Sequence, residues 1–155
     1  MPTILPPWPQ LLFGVLEPIS LVFGSLAPLH DLYGFIAGQT PHANPPVLHP
    51  SSVALAYQLA NLYSLLFLVG VGVLHTTTEP KVIRNYMIGL AIADVGHVYA
   101  TYLGMGWDSF ADIGAWNALT WGNIGATSFI FINRLAYLAG LFGPARAPKA
   151  ASKKE

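Results

Sequence analysis

A chain of 155 residues has room for one domain. Hydrophobic residues make up 54% and charged ones only 9%, against roughly 25% charged in a typical soluble domain, which argues against a water-soluble globule because long apolar runs would face solvent. Net charge is zero with no basic patch before the last ten residues, so nucleic-acid binding has no electrostatic support, and the absence of cysteine excludes disulfides, thiolate metal sites and Cys-pair redox chemistry.

The N-terminus does not read as a cleaved signal peptide: it lacks a basic start and opens on a Pro/Trp-rich stretch. A helix crosses the ~30 Å hydrocarbon core in roughly 20 residues, and four segments meet that length. The first runs from about Trp8 to Leu29, carries Glu17-Pro18 near its middle, and is open to kinking at Pro18 and Pro28. A Pro-rich loop over 30–50 follows, without Lys or Arg. The second span runs from about Val53 to Leu74, and a short loop holds Lys81 and Arg84. The third runs from about Val82 to Leu103 and contains Asp94 and His97. After a loop over 104–114, again free of Lys and Arg, the fourth runs from about Ala115 to Leu141. The expected fold is therefore all-α, a four-helix transmembrane bundle over residues 1–143. The rest, 144–155, reads as a disordered basic tail.

Charge sets the orientation. The positive residues fall at Lys81, Arg84, Arg134 and in the tail (Arg146, Lys149, Lys153, Lys154), so the positive-inside rule puts both termini in the cytosol. The terminal Lys153-Lys154-Glu155 sits one register away from a dibasic retrieval signal, and the endoplasmic reticulum is the expected membrane. Trp8, Tyr102, Trp107 and Trp116 fall near span ends, where amphipathic rings prefer to sit.

An ionisable group inside the bilayer costs at least ~2.5 kcal/mol and marks a functional site by default. Glu17 lies roughly 13 Å inside the first span at 1.5 Å per residue. Asp94 and His97 are three apart and share a helix face, as do Gln58 and Asn61, with Tyr57 beside them. Asn117, Trp121 and Asn123 occupy the first turns of the fourth span. With cytosolic termini, Glu17 and Asp94 fall near the midplane. Gln58, Asn61, His97, Asn117, Trp121 and Asn123 fall in the lumenal half, so four helices offer polar groups at overlapping depth.

Each has a plainer reading. Glu17 pairs with His97 or caps carbonyls freed by Pro18; Asp94 and His97 form a register-fixing ion pair; the amides join helices by hydrogen bonds. Arg134, near the cytosolic end, snorkels to headgroups. Gly89, Ala93, Gly96, Gly122 and Ala126 read as helix-packing positions. His30, Asp31, His42 and His49 share the first loop, but their irregular spacing argues against a metal, and none is expected.

The chemistry that fits is proton transfer on a greasy substrate, such as double-bond isomerisation or protonation-initiated cyclisation. A carboxylic acid in low dielectric is a potential general acid, an Asp–His pair accepts or relays a proton, and Asn and Trp stabilise a developing cation. No Ser/His/Asp set, phosphate-binding Gly loop or acidic diphosphate-binding cluster is present, and no cofactor is expected.

Phe13-Gly-Val-Leu-Glu17-Pro18, Phe23-Gly24, Ala60-Asn61-Leu62, Asp94-x-x-His97 and Trp116-Asn117 resemble a group of small fungal four-helix membrane proteins of unassigned function, over nearly the whole chain. The layout is also similar in outline to the EXPERA fold of emopamil-binding protein and sigma-2 receptor relatives, although that isomerase has five spans. The resemblance implies proton-shuttling and cation-stabilising roles for Glu17, Asp94, His97, Asn117 and Trp121. The expected function is thus a membrane isomerase or cyclase of lipid, terpenoid or polyketide metabolism. In that role Tyr57, Gln58, Asn61, Asn117, Trp121 and Asn123 contact the substrate. The alternative is a non-catalytic lipid- or sterol-binding or scaffold protein. Expected partners are the bilayer, a hydrophobic small molecule, and a second copy or a pathway enzyme.

Overall fold

The computed structural model describes residues 3–41, 45 and 47–144, and they are all-helical, without a strand. Helix α1 spans Pro7–His30, a short α2 spans Leu32–Ala37, α3 spans Pro50–Thr76 and α4 spans Pro80–Ala111. A single 3₁₀ turn, Ile113–Ala115, leads to α5 over 118–138. Helix α5 starts as Ala118–Thr120, widens into a π-helical stretch at Trp121–Ala126 and continues as Thr127–Leu138. The tail beyond Pro144, with its four basic residues, and His42 lie outside the described residues.

Proline and side-chain caps explain the starts. Pro sits in the first turn of α1, α3 and α4, where a missing N–H costs nothing. Asp31 Oδ1 accepts from Gly34 N (2.8 Å) to open α2, and His49 Nδ1 accepts from Ser51 N (3.2 Å) to open α3. These two loop residues, weighed as metal ligands, cap helices instead. Among the described residues no three His, Asp or Glu side chains gather as a metal site.

Two boundaries differ from the sequence reading. Helix α2 lies inside the expected first loop, since Asp31 and Gly38 bracket six residues of helical conformation. Helix α4 runs to Ala111 through the expected second lumenal loop, bending at Gly106 (φ 77°), a conformation that glycine tolerates and other residues resist.

Inside α1, a π-helical stretch over Leu12–Leu16 precedes Pro18. Pro18 has no N–H for the carbonyl four residues back, that of Gly14. His75 Nε2 from the end of α3 takes that oxygen at 2.9 Å, repairing the gap between helices.

Helix α1 packs along α3, and α4 along α5. Gly24 admits the Tyr63 ring between the first pair: a Cβ on Gly24 would stand 3.0 Å from it. The two pairs are joined at one end by a core of Ile4, Leu5, Leu12, Phe13, Leu74, Ile83 and Met87. Trp8 Nε1 donates to Asn133 Oδ1 (2.8 Å), tying the start of α1 to the end of α5. The expected packing glycines behave otherwise: Gly89, Gly96 and Gly122 meet nothing within 4 Å of an added Cβ. Gly122, Ala93 and Ala126 line a cavity, so their smallness leaves space rather than closing a contact.

Candidate functional site

The cavity lies between the two helix pairs. It has a volume of about 600 Å³ and walls mostly of Leu, Phe, Ala and Ile, with Glu17 (α1), Tyr63 (α3), Asp94 and His97 (α4), and Asn123 and Arg134 (α5) as its ionisable and amide groups.

Arg134 forms its floor, above the apolar core. Its side chain is 1% exposed. Nη2 donates to Glu17 Oε1, Nε donates to Asp94 Oδ2 at 2.8 Å, and Nη1 contacts Met87 Sδ at 3.7 Å. Its Cζ lies 5.0 Å from the centre of the Phe13 ring, within cation–π range. One guanidinium thus holds three helices together. The expectation that Arg134 snorkels outward is corrected here, and the reason is geometric. Side chains on an α-helix lean toward its N-terminus, so an arginine near the end of α5 leans into the bundle, where two carboxylates meet it. The pairing of Glu17 with His97 gives way to the same contact. Two carboxylates against one guanidinium leave the cluster one negative charge in excess when both are ionised.

His97, one turn along α4 from Asp94, faces Asn123: Nε2 and Asn123 Oδ1 are 3.4 Å apart. Asn123 Nδ2 donates to Gln39 Oε1 (3.1 Å), and Gln39 Nε2 donates to the Phe35 carbonyl at the end of α2 (3.2 Å). Gln39 stands in the segment after α2, where nothing in the spacing of the sequence singles it out.

Of the nine residues expected at the site, Glu17, Asp94, His97 and Asn123 come together on the cavity wall. Tyr57, Gln58 and Asn61 are exposed on the outward side of α3 and do not line it. Asn117 is the N-cap of α5: its Oδ1 accepts from Thr120 N (2.8 Å) and Thr120 Oγ1 (3.0 Å), while its Nδ2 donates to the Gly38 carbonyl (3.0 Å). Trp121 is half exposed and stacks edge-on against Trp116, with ring centres 5.0 Å apart, outside the cavity.

A second, lateral pocket of about 470 Å³ lies across Asp94 from the first, walled by Tyr99, Tyr102, Trp107, Phe110 and Phe131.

Two of the helices, α1 and α3, are long and apolar enough to cross a membrane. With an ion cluster walling a largely apolar cavity, these features define, among the described residues, an all-helical protein with two candidate membrane spans. The chain belongs to the DUF7704 family, a domain of unknown function whose model matches residues 2–144. No curated protein and no solved structure matches the chain.

Proposed function

We propose that this protein is a multi-pass membrane enzyme, an isomerase or cyclase of lipid, terpenoid or polyketide metabolism that moves a proton on a hydrophobic substrate. The observation that carries the reading is the convergence of Glu17, Asp94, His97 and Arg134, from three helices, on one largely apolar cavity. The excess negative charge of the cluster leaves room for one proton, and His97 beside it gives or takes a proton at the substrate.

In this reading α1, α3, α4 and α5 all cross the bilayer. Helices α4 and α5 are less apolar because they carry Asp94, His97, Asn123 and Arg134. These groups meet partners inside the bundle rather than lipid. Lys81 and Arg84, at the turn between α3 and α4, put that end and both termini in the cytosol. The endoplasmic reticulum is the proposed membrane, and a second copy or a pathway enzyme the proposed protein partner. The acid, His and amide set within the helices is similar in outline to the EXPERA layout and its proton shuttling, and the motifs separately resemble small fungal membrane proteins of unassigned function.

The test is to delete the gene, compare extracted lipophilic metabolites, and restore it as wild type or as His97→Gln. Deletion should accumulate a substrate that the wild type removes and His97→Gln does not, at equal membrane abundance. An unchanged extract, or full restoration by His97→Gln, overturns the enzyme.

One observation favours a second reading, a non-catalytic lipid-binding or scaffold protein. Both acids are already committed to Arg134, as helix-joining groups would be. That reading expects saturable binding of a hydrophobic molecule without turnover.

A further inference from the structure

The hydrogen bonds beyond His97 have a direction, and it can be traced from a fixed point. A backbone carbonyl only accepts, so the Phe35 oxygen requires Gln39 to present its NH₂ group there. The other end of that amide is then an oxygen, which requires Asn123 to present its own NH₂ group to Gln39. Asn123 is left with its oxygen toward His97, so Nε2 must carry a hydrogen and donate. Neither amide can turn over alone without setting two donors or two acceptors against each other. A neutral imidazole has one N–H, so its other nitrogen, Nδ1, is left with a lone pair. Nδ1 has no hydrogen-bond partner among the described residues and is not buried, and His97 stands on the cavity wall.

We infer that Gln39 and Asn123 are positioning residues: through an amide relay anchored on the Phe35 carbonyl they hold His97 as the Nε2–H tautomer and leave its Nδ1 as a proton acceptor on the cavity wall. This deepens the proposed function, because it fixes the polarity of the encounter. A ligand that engages His97 first must bring a hydrogen to Nδ1, from a hydroxyl or an acidic C–H. A ligand with only acceptors at that end is not recognised there. The relay stands or falls on the state of one ring and not on turnover, so it can fail while the enzyme reading survives, and the reverse.

Full-length protein labelled with ¹⁵N-histidine and reconstituted in phosphatidylcholine bilayers reports the tautomer directly. Nitrogen chemical shifts separate N–H from bare nitrogen, and the His97 signals are those lost in His97→Gln. At alkaline pH, where imidazole is neutral, the wild type should show Nε2–H. Gln39→Glu presents only acceptors, so Asn123 keeps its orientation and the tautomer stays. Gln39→Lys presents only donors; Asn123 must turn its oxygen to the ammonium and its NH₂ to His97, and the signals should move to Nδ1–H. A wild type in the Nδ1–H form, or a tautomer indifferent to Gln39→Lys while Gln39→Glu also leaves it unchanged, overturns the inference. The wild-type measurement decides even if the lysine variant fails to insert.

Discussion

Replacing Arg134 by Met keeps side-chain length and apolar contact but removes the charge that three helices share. Glu17 and Asp94 then lie within the bundle without their counter-ion, and Phe13 loses its cation–π contact. Breaking a buried ion pair from one side costs about 3–5 kcal/mol. With two acids orphaned, the upper part of that range is expected, or roughly three to four powers of ten in the folding equilibrium. The decisive comparison is the neutral triple variant Glu17→Gln/Asp94→Asn/Arg134→Met, in which no charge is left to compensate. Replacing a buried ion cluster as a whole is often close to neutral, so this variant should recover most of the loss. Arg134→Lys should fall between, because an ammonium cannot reproduce the guanidinium fork that reaches two carboxylates through Nε and Nη2. Reversible unfolding in mixed detergent micelles, followed by far-UV circular dichroism, measures all three. A cost below about 1 kcal/mol for Arg134→Met, or a triple variant no more stable than the single, would refute the account of Arg134 as the joint between helices.

Four further outcomes follow from local geometry. Gly24→Leu drives a side chain into the Tyr63 ring and should cost about 1–3 kcal/mol of stability in the same unfolding assay. His75→Leu orphans the Gly14 carbonyl, at a cost of about 1–3 kcal/mol, and Pro18→Ala in that background should regain part of it by restoring an N–H at position 18. Asn117→Ala removes the cap of α5 and its bond to Gly38, and should speed hydrogen exchange at the Thr120 amide, with about 1–2 kcal/mol lost. Ala93→Leu fills cavity space and removes no member of the ion cluster; it should leave unfolding nearly unchanged while a fluorescent hydrophobic probe loses its saturable binding.

The long helices are legible because a run of about 20 apolar residues has few alternatives, and α1 and α3 match their expected bounds within three residues. What the pattern could not carry was azimuth. Gln58 and Asn61 share the depth of the cluster, but depth is only one coordinate of a helical residue. Ala56, Ala60, Gly70 and Leu74 are the buried side of α3, and the two amides lie off that side. Small residues at an i, i+4 spacing were the available signal. Arg134 differs from its expected place for a related reason: its Cα is near the helix end, but its charge is carried several ångströms back along the axis. Asn117 sits immediately before a helix and three residues ahead of Thr120, which is a capping position before it is a binding one. Gln39 had no signal, because its role depends on where α2 ends relative to α5.

The same triple variant separates the two functional readings, since it divides stability from chemistry. If Glu17, Arg134 and Asp94 serve only to join helices, neutral replacements of similar shape keep the joint by packing and amide hydrogen bonds. The cavity then remains, and binding of its ligand with it. If the cluster holds a proton for the substrate, the same variant folds, inserts and binds, yet turns nothing over: Gln and Asn have the shape of the acids but give up no proton in this range. A stable triple variant that still restores the metabolite profile leaves no catalytic role for either acid, and His97, held by Asn123 and Gln39, would have to act alone. A stable variant that binds but does not restore it assigns the proton to the cluster, because packing and access are preserved and only the titratable groups have gone.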